Sequence, residues 1–204
     1  LSSQPVDTDR QSRIDRMFVL LADTLAEDFD LTDVLDQLTH ACVDLLGATA
    51  AGVLLGTIGD HLDLVASSDE NSHLLDVFQL EAESGPCLDA YAGGSPVAVQ
   101  DLRDSHDRWP EFAQRAEALG FRSVHAFPMR LRAEVIGVVN LFHEQPTELT
   151  PEDARVAQAL ADIATISVFQ LRRLREREMV AQQLQLALNS RIIIEQAKGM
   201  LAEL

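Results

Sequence analysis

Two pairs of short apolar strands constrain the fold of this chain most, because each pair is joined by a tight turn and needs further elements to cover it. The first pair covers residues 50–55 and 61–67, and the second covers residues 121–131 and 134–143. Apolar side chains recur at helical spacing before the first pair and after the second. We therefore predict an α+β fold, with an antiparallel sheet, flanking helices and a long C-terminal helix.

Local signals predict where several elements begin and end. Asp30 is a good N-cap for a helix that Gly47 closes, and Thr150-Pro151 is a strong helix start. Pro128 cannot donate a ladder hydrogen bond, so its strand should be an edge or break there. Beyond Leu171 the string RRLRERE is almost wholly charged, which indicates a solvated helix and a short parallel pairing at most.

Composition excludes several classes of protein. A chain of 204 residues that is 47% hydrophobic can bury a core, despite its net charge of −17. No apolar run reaches the roughly 18 residues of a membrane span, so we expect a cytoplasmic protein without a membrane partner. Residues 1–170 hold 10 Arg against 29 Asp and Glu, whereas residues 171–204 hold 6 basic and 4 acidic residues. An acidic body of this kind repels nucleic acid.

Catalytic and metal-binding patterns are not apparent. The six histidines are scattered without an i, i+4 pair, and the two cysteines, Cys42 and Cys87, are too few for a structural zinc site. Ser84-Gly85 and Cys87 are the elbow-like candidates for a nucleophile, but neither lies in a GxSxG context. We therefore expect no catalytic residue, no metal and no enzymatic activity, and we identify no cofactor.

A ligand pocket is better supported, because residues 85–143 carry aromatic side chains and a few polar groups on elements that must converge. Cys87 follows a Gly-Pro pair at a helix start, where the helix dipole could lower the pKa of its thiol and allow redox sensing. The alternative is that these side chains simply fill the core. The candidate ligand-binding residues are Phe78, Cys87, Trp109, Phe112, His125, Phe127 and Asn140.

Several strings resemble a known family. GPCLDAY, PVAVQDL, RWPEF, GFRSVHAFPMRLR and IGVVNLF lie within residues 85–143, and together they resemble the GAF domain of bacterial GAF–ANTAR regulators. The likeness runs from about Arg13 to Leu171. The string LQLALNSRIIIEQAKGML at 184–201 looks like the first helix of an ANTAR domain, so the chain is expected to hold an incomplete ANTAR helical module.

The resemblance implies a small-molecule sensor joined to an RNA-binding antitermination module that recognises RNA hairpins and acts as a homodimer. It gives no ligand name, because the GAF stretch lacks a cyclic-nucleotide motif and a bilin-attachment context. Helical spacing places Arg191, Glu195 and Lys198 on one face, and Arg191 and Lys198 are the candidate contacts to RNA phosphates. The alternative function is a stand-alone GAF ligand-binding or redox-sensing dimerisation module.

The expected domains follow from this reading. They are a flexible arm at 1–11, a GAF sensor domain at 12–171, a signalling and dimerisation helix at 172–188, and the start of a truncated ANTAR domain at 189–204.

Overall fold

A five-stranded antiparallel sheet organises the chain, in the strand order β2-β1-β5-β4-β3. The computed structural model describes residues 12, 14–17, 19, 30–57 and 61–202, with the side chains of 178 and 187–202 left out. The predicted arm at 1–11 lies outside the described residues. The strands are β1 Ala50–Gly56, β2 Leu62–Ser67, β3 Val97–Val99, β4 Ser123–Leu131 and β5 Glu134–His143.

The helices at 31–46 and 151–202 begin where Asp30 and Thr150-Pro151 predicted them. The full set of helices is α1 Leu31–Leu46, α2 Glu70–Glu81, α3 Pro86–Gly93, α4 Pro110–Ala118 and α5 Pro151–Ala202, with a 3-10 turn at Leu102–Ser105. Asp30 caps α1 by accepting a hydrogen bond from the Thr32 amide, and Gly47 closes it with a φ of 66°. Thr150 accepts from the Asp153 amide at 3.1 Å and so caps α5.

Both faces of the sheet are covered. Helices α2, α3 and α4 pack on the face that carries Val124 and Ala126 of β4. The opposite face carries Phe127 and Met129, which are also buried. Helix α1 contacts β1 and β2, and Gln158 of α5 donates a hydrogen bond to the Pro128 carbonyl of β4 at 3.0 Å. Pro128 lies beyond the residues of β4 that pair with β3, so the ladder with β3 has ended before it, as predicted.

The chain divides into two compact units, Leu1–Ser167 and Val168–Leu204. The first contains the sheet and its helices, and the second is helical through residue 202. Among the described residues, no helix is long and apolar enough to cross a membrane.

Candidate functional site

Two hydrophobic clusters cover one face of the sheet. The Trp109 cluster joins α2, α4 and the 3-10 turn to the strands, and the Cys87 cluster joins α3 to them. The first contains Ala50, Leu75, Val99, Leu102, Trp109, Phe112, Ala116, Phe121, Val124 and Phe142, and the second contains Leu54, Leu62, Cys87, Ala90, Ala126 and Val138.

A row of the sheet between these clusters carries polar and small residues. On β1, Gly52 lies between Ala50 of one cluster and Leu54 of the other, and its partner on β5 is Asn140. Asn140 is fully buried, although it follows two valines in an apolar strand. The strand pairing therefore places a buried amide at the centre of an apolar face.

Helix α2 places a carboxyl group directly above this row. Asp76 is fully buried, and its Oδ1 accepts hydrogen bonds from Asn140 Nδ2 at 2.7 Å and Gln79 Nε2 at 3.0 Å. A side chain at Gly52 would clash with Asp76 Oδ2, so glycine is required for this close approach. We call Gly52, Asp76, Gln79 and Asn140 the polar seam.

The polar seam also fixes the start of α3. Gln79 Oε1 accepts a hydrogen bond from the Cys87 backbone amide at 3.1 Å. Gly85, just before the helix, has a φ of 157°, and a side chain there would clash with Gln79. The seam therefore joins α2, α3 and β5 through side-chain hydrogen bonds.

Burial dominates the electrostatics of this region. It raises the pKa of Asp76 to about 7, although the hydrogen bonds from Asn140 and Gln79 act in the opposite direction. Burial and the neighbouring Asp76 also raise the pKa of the Cys87 thiol. The sequence suggested that the helix dipole lowers the pKa of the Cys87 thiol. That expectation is wrong, because desolvation of the thiol outweighs the dipole.

Four of the predicted ligand-binding residues lie on this face. Cys87, Trp109, Phe112 and Asn140 are all buried there, in the two clusters and the seam. Phe78 lies on α2 and is half-buried. Whether any of them contacts a ligand stays a prediction.

His125 and Phe127 do not join these residues. Asn140 pairs with Ala126, so the residues on either side of Ala126 point to the other face of the sheet. The single pocket that the sequence predicted, with His125 and Phe127 beside Cys87 and Asn140, therefore does not form. Alternating side chains define two faces in each strand. Only the pairing register shows which face of β4 lies on the same side of the sheet as a given face of β5.

His125 instead meets His143 on the second face. Their rings are 5.5 Å apart in an edge-to-face arrangement, and both side chains are buried. Desolvation, and secondarily His143, lowers the pKa of His125 to about 4. Burial lowers the pKa of His143 as well, so both rings are neutral at physiological pH.

An exposed contact closes the outer side of the first face. Arg108 donates to Asp89 Oδ2 of α3, and its guanidinium stacks 4.2 Å above the Trp109 ring. This contact joins α3 to the start of α4, but the side chains of Arg108 and Asp89 are 61% and 39% exposed, so solvent screens the pair and it adds little stability.

The predicted RNA contacts belong to the second unit. The backbone at Arg191 and Lys198 is helical, but their side chains lie outside the described residues. Before them, α5 exposes large apolar side chains to solvent, at Leu174, Met179, Val180, Leu184 and Leu186.

Sequence reasoning missed Asp76 and Gln79. The available signal was the spacing of Ser72, Asp76 and Gln79 at i, i+4 and i+7, which places three polar residues on one helix face. All three are buried. Phe78 is apolar but lies off this stripe, which explains why it is only half-buried.

A family model and several solved structures are similar to this chain. A family model described as GAF domain matches residues 30–168. A search of the curated proteins found no match. The GAF domain from Acinetobacter phosphoenolpyruvate-protein phosphotransferase is similar with a TM-score of 0.63 at 14% identity, covering 84% of this chain and 97% of that chain.

Two further solved structures show the same fold. Free methionine-R-sulfoxide reductase from Neisseria meningitidis, in complex with its substrate, has a TM-score of 0.63 at 19% identity, covering 85% of this chain and 96% of that chain. The GAF domain/HD domain protein from Geobacter sulfurreducens has a TM-score of 0.58 at 18% identity, covering 74% and 97%.

Proposed function

Because this chain belongs to the GAF domain family, we propose that it is a sensory regulator that binds a small-molecule signal and controls gene expression through RNA. GAF domains are small-molecule sensing modules. The observation that carries the sensing part is the polar seam: a few convergent polar groups, including a buried carboxyl, within an apolar face.

The RNA part of the proposal is supported by the string at 184–201, which resembles the first helix of an ANTAR domain. The helical backbone through residue 202 agrees with that reading. Arg191 and Lys198 lie seven residues apart and share one helix face, where they contact RNA phosphates in the proposed complex. The function is then antitermination, with hairpins in nascent transcripts as the targets.

Exposed apolar side chains on α5 support a homodimer. Val180 and Leu184 are 64% and 61% exposed, and one helical turn separates them. Burying each against a second copy contributes roughly 1.5–3 kcal/mol. The paired helices then carry the signal from the sensor domain to the RNA-binding module.

The proposed regulator has no catalytic activity. Both cysteine thiols are buried, and burial raises the pKa of Cys42 to about 12 and also raises the pKa of Cys87. Such thiols are poor nucleophiles, which also weakens the alternative of a redox-sensing GAF module. Reduction of free methionine sulfoxide by the purified chain would overturn this part of the proposal.

Binding of hairpin RNA tests the RNA part of the proposal. Lys198→Ala and Arg191→Ala should each weaken binding of all hairpin sequences similarly and lower the salt slope by about one unit. Arg115→Ala removes an equal charge from an exposed position on α4 and is the matched control. Unchanged affinity and slope in both α5 variants, or an equal effect of the control, would contradict the proposal.

Sedimentation tests the homodimer. The double variant Val180→Glu, Leu184→Glu should sediment as a monomer at concentrations where the unchanged chain is a dimer. Leu74→Glu, which alters an exposed apolar residue of α2, should leave the dimer intact. A monomeric unchanged chain would refute the assembly.

A further inference from the structure

Two buried acceptor atoms in the polar seam receive no hydrogen bond from any residue that the structure describes. They are Asp76 Oδ2 and Asn140 Oδ1, and both are closed to solvent. The other oxygen of Asp76 accepts two hydrogen bonds, so the cluster is satisfied on one side only. Buried acceptors without donors are rare in native proteins, because each loses its hydration without compensation.

Within the described part of the chain, the groups around Asp76 supply no positive charge. Its hydrogen-bond donors, Asn140 and Gln79, are neutral amides on β5 and α2. The titratable group that interacts with it from α3 is the Cys87 thiol, which is protonated at neutral pH. On β1 the carboxyl group faces Gly52, which has no side chain. An ionised Asp76 therefore lacks the cationic partner that a buried carboxylate requires.

We propose that the polar seam binds an organic cation with N–H donors, such as an amidine, a guanidine or a protonated amine, through Asp76 Oδ2 and Asn140 Oδ1. The inference rests on the proposed sensing function and names the chemical class of its ligand. The cation supplies the donors that these two oxygens lack and neutralises the carboxylate. The clusters on either side receive its apolar part.

The charge of the body favours the same class of ligand. Residues 1–170 carry 10 Arg and 29 Asp and Glu, a balance of 10 − 29 = −19. A field of this sign raises the local concentration of small cations and lowers that of anions. The long-range charge and the local acceptors thus select the same ligand chemistry.

The ligand reaches the seam only through movement of a covering helix. Both acceptor atoms are buried, and the hydrogen bond from the Cys87 amide to Gln79 holds the start of α3 over the seam. Binding therefore requires α2 or α3 to move away from the sheet. This movement couples occupancy of the seam to the conformation of the domain.

Calorimetry with benzamidine as the probe tests the inference, with benzamide as the neutral isostere. Asp76→Asn removes the charge at constant size, and Asp63→Asn, which alters an exposed carboxyl on β2, is the matched control. The unchanged chain and Asp63→Asn should bind benzamidine at least tenfold more tightly than benzamide, and Asp76→Asn should lose this preference. Affinity at pH 6 should be roughly tenfold lower than at pH 8, because the pKa of Asp76 is about 7.

Three results would overturn the inference: no binding of benzamidine at millimolar concentration, equal binding of the two compounds, or an unchanged preference in Asp76→Asn. These results are distinguishable from failure of the sensing function. If benzamidine and benzamide bind equally and neither Asp variant changes this, the domain still has a small-molecule site. The hairpin assay tests the RNA part of the proposed function independently.

Discussion

The free energy of unfolding of the unchanged chain should fall as the pH rises, and replacing Asp76 with Asn should abolish this fall. Burial raises the pKa of Asp76 from 3.8 in the unfolded chain to about 7 in the folded one. Between these values the unfolded state releases the proton and the folded state keeps it. The free energy of unfolding therefore falls as the pH rises through this window, and the loss is complete above pH 7.

The size of the effect follows from the shift. A difference of about three pK units at roughly 1.4 kcal/mol per unit gives about 4 kcal/mol, which is an upper limit because a charged Asp76 can relax toward water. Urea denaturation at a series of pH values from 4 to 8 measures the free energy of unfolding of both chains. The difference between Asp76→Asn and the unchanged chain should rise across the window by up to this amount.

The comparison needs a control because His125 and His143 titrate in part of the same window with the opposite sign. Both lie on the other face of the sheet, so their contribution should cancel in the difference between the two chains. Asp63→Asn, which removes an exposed carboxyl from β2, should follow the unchanged chain. Parallel pH profiles for Asp76→Asn and the unchanged chain would refute the assignment of a raised pKa to Asp76.

Three further outcomes are expected. Gly52→Ala should destabilise the fold by roughly 1–3 kcal/mol in urea denaturation, because the added methyl group meets Asp76 Oδ2. Adding Asp76→Ala should restore much of this loss, and strictly additive losses in the double variant would contradict the contact. His125→Leu should stabilise the chain in acid, because the pKa of His125 is about 4 in the folded chain and 6.5 in the unfolded chain, and the unchanged chain therefore loses up to roughly 3 kcal/mol of stability as the pH falls through that range. Coincident acid unfolding curves of the two chains would disprove this prediction. In a Cys42→Ala background, Cys87 should resist a thiol reagent until urea unfolds the chain, because its thiol is fully buried; labelling of the native chain at the rate of a free thiol would show the opposite.

The fold was largely predictable because its signals are local. Asp30 and Gly47 determine the ends of α1 through hydrogen bonds to residues within one turn, and Thr150 does the same for α5. The alternating apolar runs identified both hairpins. Such features depend on neighbouring residues, so the sequence shows them without knowledge of tertiary packing.

The candidate site was less predictable because it depends on contacts between distant segments. Asp76 and Asn140 are 64 residues apart, and their hydrogen bond exists only because α2 crosses β1 and β5 at Gly52. The pairing of β4 with β5 also decides that His125 lies on the opposite face from Asn140. Neither the crossing nor the register has a local signature.

The position of Asn140 in β5 has a consequence for how the strands find each other during folding. Residues 135–142 read VIGVVNLF, so both faces of this strand are apolar and a slip of one residue would exchange one apolar set for another. In such a slip, Asn140 would no longer face α2, and Asp76 would be buried without its shortest hydrogen bond. That misalignment therefore costs one buried hydrogen bond to the Asp76 carboxyl group, a penalty that apolar side chains alone would not impose. Asn140 therefore favours the native register of β5 over a register shifted by one residue, independently of any ligand the domain binds.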